Sequence, residues 1–159
     1  MRLLHYHKNH LTQIHSVEQS ANEERLMYGV KPNGLWVSVE GADDWPSWCR
    51  SEDFALERLE CVTEVVLKKK NTILKITTDD ALMGFTDEYG FSDPRRRGIT
   101  AIDWVRIAEK HDGIIITPYN WKRRLCLEAN WYYSWDCASG CIWNSRAVKE
   151  LRPVPCSSK

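Results

Sequence analysis

The most informative polar residue is an aspartate placed inside an aromatic run. Asp136 follows Trp135 and precedes Cys137, and a carboxylate in such surroundings needs a partner. A carboxylate aimed at a reacting carbon can stabilise the positive charge that develops there. His5, while neutral, can bind a ligand hydroxyl, and Ser38 supplies a second polar group. A site that binds a hydroxyl-bearing ligand and stabilises a cationic transition state would need groups of these types.

Tryptophan is the residue that stands out in the composition, with eight copies in 159 residues. A flat heterocyclic ligand needs an apolar wall, which Trp36, Trp45 or Trp135 can offer. Stacking on such a wall contributes about 0.5–1.5 kcal/mol beyond burial. A carboxamide on that ligand needs a backbone N–H and C=O pair, which Gly34 beside a strand exposes.

Each of these residues also has a purely structural interpretation. His5 and Ser38 can be satisfied members of a packed sheet, and Trp36 can belong to the core. Asp136 can cap a turn. The sequence leaves both interpretations open at every one of these positions.

The elements that must position these residues follow from periodicity, turn residues and capping residues. We predict strands at 2–7, 35–39, 61–67, 72–76, 114–116 and 140–143, and one or two more within 124–135. Helical segments are predicted in the polar stretch up to residue 27, after Asp44, at 79–85, after Thr100 and from Ser145 to 151. About six or seven strands with three or four short helices predict a mixed, largely antiparallel α+β fold around a cleft. The elements do not alternate as a doubly wound fold requires.

Bulk properties limit the classes of function. The length fits one domain, which we place at 1–152 with a frayed tail at 153–159. Lys plus Arg and Asp plus Glu both total 22, so charge gives no argument for a nucleic-acid or membrane-surface partner. No apolar run approaches the length of a membrane helix. The basic runs at 68–70 and 95–97 predict solvated turns, of which the second could contact a phosphate.

The six cysteines lack the context of a disulfide framework. No apolar leader segment follows Met1, and no CxxC pair is present. We therefore expect free thiols in a reducing compartment, the cytoplasm.

Four local patterns, in this order along the chain, resemble the ADP-ribosyltransferase superfamily. Residues 3–7 (LLHYH) resemble its first strand, and residues 31–38 (KPNGLWVS) its Gly-aromatic-x-Ser strand. Residues 111–116 (HDGIII) are similar to a run that precedes an inner strand in many members. Residues 139–148 (SGCIWNSRAV) resemble the closing strand and its tail. The chain also resembles small uncharacterised bacteriophage-encoded proteins, which implies the host cytoplasm.

The resemblance implies NAD as substrate, with no metal and no membrane. Asp136, His5 and Ser38 are the implied catalytic residues. The implied NAD-binding residues are His5, Gly34, Leu35, Trp36, Ser38 and Trp135. The family usually places a Glu at the start of its closing strand, where this chain has Ser139 or Gly140. The carboxylate role then falls to Asp136, with Glu128 as the alternative.

The implied function is transfer of ADP-ribose from NAD to an unknown protein or nucleic-acid acceptor, or hydrolysis of NAD. A non-catalytic inhibitor or nucleotide-binding protein of phage type, using the same aromatic cleft, is the alternative from another class. Two further hypotheses have less support. One is a metal site at His5 and His7, without a ligand signature; the other is a cysteine nucleophile, Cys49 or Cys141, without an activating base.

Overall fold

A computed structural model describes residues 1–20, 31–92 and 98–155, which form nine strands, three α-helices and three short 3₁₀ helices. The strands are β1 Leu3–His7, β2 Leu35–Val39, β3 Cys61–Leu67, β4 Ile73–Ile76, β5 Gly90–Ser92, β6 Thr100–Ile102, β7 Gly113–Ile116, β8 Ser139–Ile142 and β9 Val148–Val154. The helices are α1 Trp45–Ser51, α2 Asp79–Tyr89 and α3 Trp104–Ala108, with 3₁₀ helices at Leu56–Leu59, Asn130–Ser134 and Ser145–Ala147.

Seven strands form one mixed sheet in the order β4-β7-β8-β2-β1-β3-β9, and β5 pairs with β6 separately. The β4–β7 pair is parallel, whereas the other neighbours in the sheet are antiparallel. The predicted α+β class with a largely antiparallel sheet is confirmed. The inner strands β7 and β8 are buried throughout, so the core continues on both faces of the sheet.

Side-chain caps begin all three helices. Asp44 accepts a hydrogen bond from the backbone N–H of Ser47 at α1, and a proline follows in the first turn. Thr78 caps α2 through the N–H of Ala81, and Asp103 caps α3 through the N–H of Arg106. Each cap satisfies one of the N–H groups that a helix start leaves without a partner.

Four predicted elements are wrong. The helix predicted to open at Thr100 begins only at Trp104, because Thr100–Ile102 pair as β6 and Asp103 is the cap. The predicted helix up to residue 27 is absent from 8–20, and its remainder lies outside the described residues. In that stretch Leu11 donates its N–H to the Thr63 hydroxyl (2.9 Å), and Val17 donates to the Trp143 carbonyl (2.8 Å). These partners on the sheet replace helical hydrogen bonds.

The other two errors lie near the carboxyl end. Residues 124–135 form turns and a 3₁₀ helix instead of strands. The helix predicted after Ser145 is one 3₁₀ turn followed by β9. β9 pairs with β3 from Val148 to Val154, so ordered strand continues two residues past the domain end predicted at 152. Pairing with a long neighbour outweighs the local helical pattern here.

Aromatic side chains fill much of the core. Trp131 and Trp135 are fully buried, and Trp131 donates its indole N–H to the Thr86 hydroxyl at 2.9 Å. Trp104 packs against both Phe85 and Trp131. Within the described ranges, no helix combines the length and apolar character that a membrane crossing demands. The arginine run at 95–97 lies outside the described residues.

Candidate functional site

A cavity of about 310 Å³ opens between β1, β2 and the segment that leads into β8. Four of the predicted residues, His5, Trp36, Ser38 and Asp136, line it together. They come from three separate parts of the sequence, and the sheet order places β1 beside β2 and β2 beside β8. This volume is at the lower end for ligand pockets, large enough for one heterocycle and its sugar.

His5 bridges two strands where their pairing ends. β1 and β2 pair at Leu3 with Val39 and at Leu4 with Ser38. Next along the strand, His5 Nδ1 lies 2.9 Å from the Trp36 carbonyl oxygen. Because a carbonyl only accepts, Nδ1 carries the proton, and Nε2 of the neutral ring remains a hydrogen-bond acceptor. Burial lowers the pKa of His5, which favours this neutral form and suits it to bind a hydroxyl.

Ser38 connects the sheet to helix α1. Its buried hydroxyl oxygen accepts the backbone N–H of Trp45 at 2.9 Å, and Trp45 also lines the cavity. Ser38 therefore positions one wall of the pocket, while its hydroxyl hydrogen can still donate to a ligand. Trp45 stacks on Trp48 with ring centroids 5.0 Å apart, which extends that wall.

Trp36 and Trp135 have different places, although both were predicted to contact the ligand. Trp36 is half-buried and lines the cavity. Trp135 is fully buried and meets Trp36 edge-on, with centroids 4.9 Å apart. Trp135 lies in the core because burial of its large apolar surface is favourable. It supports the orientation of Trp36 instead of forming a wall itself.

Asp136 is the carboxylate of the cavity. Its Oδ2 lies 3.3 Å from Nζ of Lys31, and both side chains are partly exposed. Lys31 Nζ also lies 5.1 Å from the centroid of the Trp36 ring. The Lys31 ammonium in this site therefore contacts both a carboxylate and an aromatic face.

Gly34, Leu35 and Glu128 do not line the cavity. Gly34 has φ 148°, and a Cβ there would lie 2.5 Å from the Ile142 carbonyl oxygen, so glycine permits close approach of β8. Leu35 packs against the core. Glu128 is exposed and accepts a hydrogen bond from the Cys126 thiol at 2.6 Å. Of the two acids considered for the carboxylate role, Asp136 lines the cavity and Glu128 does not.

Sequence reasoning assigned no role to three polar residues that line the cavity: Lys31, Tyr6 and Arg58. Burial, with help from the carboxylates of Asp44 and Glu40, raises the pKa of Tyr6 to about 12. Tyr6 thus remains a neutral phenol and a hydrogen-bond donor. It lies next to His5 in β1, and because side chains alternate along a strand, this position gave no signal from the sequence. Arg58 lies on a 3₁₀ turn that no sequence pattern connects to the site.

The two remaining hypotheses gain no geometric support. Within residues 1–20, 31–92 and 98–155, no group of three or more His, Cys, Asp or Glu side chains is placed to bind a metal ion. Burial raises the pKa of Cys49 to about 11, and it also raises the pKa of Cys141. A nucleophilic cysteine needs the opposite shift.

Comparison with known proteins finds no protein family, no curated protein and no solved structure that matches this chain.

Proposed function

We propose that the protein is an ADP-ribosyltransferase-like enzyme that uses NAD, transferring ADP-ribose to a protein or nucleic-acid acceptor or hydrolysing NAD with water. The observation that supports this most is that His5, Trp36, Ser38 and Asp136 line one cavity. These four residues were selected for such a site from the sequence alone.

The cavity offers a group for each requirement of this chemistry. The Trp36 ring can stack on the nicotinamide ring. The free Nε2 of neutral His5 can accept a hydrogen bond from a ribose hydroxyl, and Tyr6 can donate one. Arg58 at the rim has the charge that a pyrophosphate needs. Since the cavity takes only a heterocycle and its sugar, the rest of the dinucleotide would extend over this rim.

Asp136 would carry the electrostatic part of the reaction. The bond between ribose and nicotinamide breaks, and its electron pair leaves with nicotinamide, whose ring becomes neutral. Positive charge then develops on the ribose, and a preorganised carboxylate stabilises it. A hydroxyl oxygen of the acceptor, or water, forms the new bond to the ribose carbon and releases its proton to solvent.

The test is release of nicotinamide from NAD, quantified by chromatography. Asp136→Asn should lower the rate about 100- to 1000-fold. Binding of NAD should weaken far less, because the ground state carries less positive charge at the reacting carbon. Asp136 and Lys31 form a partly exposed ion pair, so its loss should cost under about 1 kcal/mol of stability.

Glu128→Gln is the matched control, because it removes an exposed carboxylate that lies outside the cavity. Its turnover should equal that of the wild type. If Glu128→Gln abolishes release while Asp136→Asn does not, Asp136 is the wrong carboxylate.

The non-catalytic binder remains a second candidate, because β8 begins with Ser139 and carries no carboxylate. It would use the same cavity. NAD binding without any nicotinamide release in the wild type would favour it, and absence of NAD binding would exclude the transferase.

A further inference from the structure

The Lys31 ammonium occupies a defined place in the cavity. Nζ lies 3.3 Å from Oδ2 of Asp136 and 5.1 Å from the centroid of the Trp36 ring. A cation within about 6 Å of an aromatic ring centroid is attracted by the electron density of its face. The ammonium is therefore bound by two groups, both of which also line the cavity.

The two groups that hold this ammonium lie beside buried residues. Trp36 packs edge-on against the fully buried Trp135, which sets the orientation of its ring. Asp136 stands between Trp135 and the buried Cys137, just before β8. The aromatic face of the receptor is thus preorganised, which favours binding of a cation.

Lys31 itself is the movable member. Its side chain is 39% exposed and ends a flexible four-carbon stem. Partly exposed ion pairs and cation–π contacts are each weak. Lys31 can therefore leave the site when a better cation arrives, at a small cost.

We propose that Lys31 is an internal occupant of a binding site for a flat organic cation, and that a pyridinium ring displaces it. A pyridinium can stack its whole face on Trp36 while its positive charge lies near Asp136, which an ammonium cannot do. Lys31 then acts as a competing internal cation, and Asp136 sets the preference for a cationic ligand, because a neutral ring would leave the Asp136 carboxylate without a cation. The identity of that pyridinium as the oxidised nicotinamide of NAD rests on the proposed function.

The test compares two probes of nearly equal shape, the N-methylnicotinamide cation and neutral nicotinamide, by calorimetric titration. Lys31→Ala and Lys31→Met both remove the internal cation, and Lys31→Met keeps most of the stem over Trp36. Both variants should bind the cation about five- to tenfold more tightly than the wild type. Affinity for nicotinamide should also rise, because neither probe then has to displace Lys31 from Trp36 and Asp136. Lys75→Ala, on an exposed position of β4, is the matched control and should bind both probes as the wild type does.

Three outcomes would overturn the inference. Weaker cation binding in both Lys31 variants would make Lys31 a direct ligand contact. A gain for nicotinamide without a gain for the cation would mean that the cation does not take the place of Lys31. Unchanged binding of both probes would mean that Lys31 does not occupy the site. Asp136→Asn should independently abolish the preference for the cation over nicotinamide, since the attracting charge is removed.

The two proposals fail separately. If NAD is neither bound nor cleaved but the Lys31 variants gain affinity for the pyridinium cation, the cation site stands and the NAD-dependent function is rejected. If NAD is cleaved and the variants bind both probes as the wild type does, only the role of Lys31 is rejected.

Discussion

At the scale of single residues, His5 combines a structural and a chemical role. Its Nδ1–H donates to the Trp36 carbonyl at the point where β1 and β2 cease to pair. Burial lowers its pKa, the hydrogen bond to Trp36 opposes this, and the neighbouring His7 adds to the lowering. The His7 ring stacks at 6.1 Å, and Lys31, Arg58 and Asp136 are the charged groups that share the cavity.

The lowered pKa of His5 predicts how stability depends on pH. The unfolded chain, with an ordinary histidine pKa near 6.5, takes up a proton before the folded chain does. Acidification below that pH therefore lowers the free energy of unfolding. This loss of stability is complete once the pH is below the lowered pKa of folded His5. Urea unfolding between pH 7.5 and 5 should show a shallower loss of stability for His5→Gln than for the wild type. An identical pH slope in the two proteins would contradict this.

At the scale of elements, the contact between β2 and α1 decides the shape of the cavity. Ser38 in β2 accepts the first N–H of α1, and Asp44 caps the same helix through Ser47. The aromatic side chains of α1 are thereby held against the sheet. Ser38, a catalytic candidate from the sequence, thus has a structural role at the start of α1. Its part in catalysis stays a prediction.

Ser38→Ala should lower the free energy of unfolding by about 1 kcal/mol, because the Trp45 N–H loses its partner. Denaturant titration measures the change. Ser47→Ala, an exposed position on the same helix, is the control and should stay within about 0.5 kcal/mol of the wild type. Unchanged stability together with lost NAD turnover would instead show that the Ser38 hydroxyl acts on the ligand and does not stabilise the fold.

At the scale of the whole molecule, three of the five cysteines among the described residues lie in the packed interior. Cys49, Cys137 and Cys141 are buried. Burial raises the pKa of Cys49 to about 11 and that of Cys137 to about 12, and it also raises the pKa of Cys141. No disulfide joins the cysteines of the described chain, and Cys156 lies outside it.

Thiol titration should therefore depend on folding. Denatured, unreduced protein should react at all six cysteines, whereas in the native protein Cys49, Cys137 and Cys141 should react only after unfolding. Spectrophotometric titration with an aromatic disulfide at pH 8, with and without denaturant, measures both. Fewer than six thiols in the denatured protein would indicate a disulfide, and rapid reaction of all six in the native protein would contradict the buried positions.

The sequence alone determined the elements whose signals are local. Strand β3 has the predicted bounds 61–67, since its β-branched run needs no distant partner to favour extension. Helix α1 follows from Asp44 and Pro46, because capping and φ restriction act within one turn. Four members of the candidate site, His5, Trp36, Ser38 and Asp136, were likewise chosen from the sequence.

Only the tertiary structure decided what depends on distant partners. Residues 148–154 form a strand because they pair with β3. Trp135 is buried in the core and does not line the cavity. Lys31 meets Asp136 across 105 positions of sequence, a contact that no local pattern predicts. Propensities and caps act over a few residues, whereas burial and strand order are properties of the whole chain. The sequence therefore indicated the chemistry of the site, and the fold decided which side chains share it.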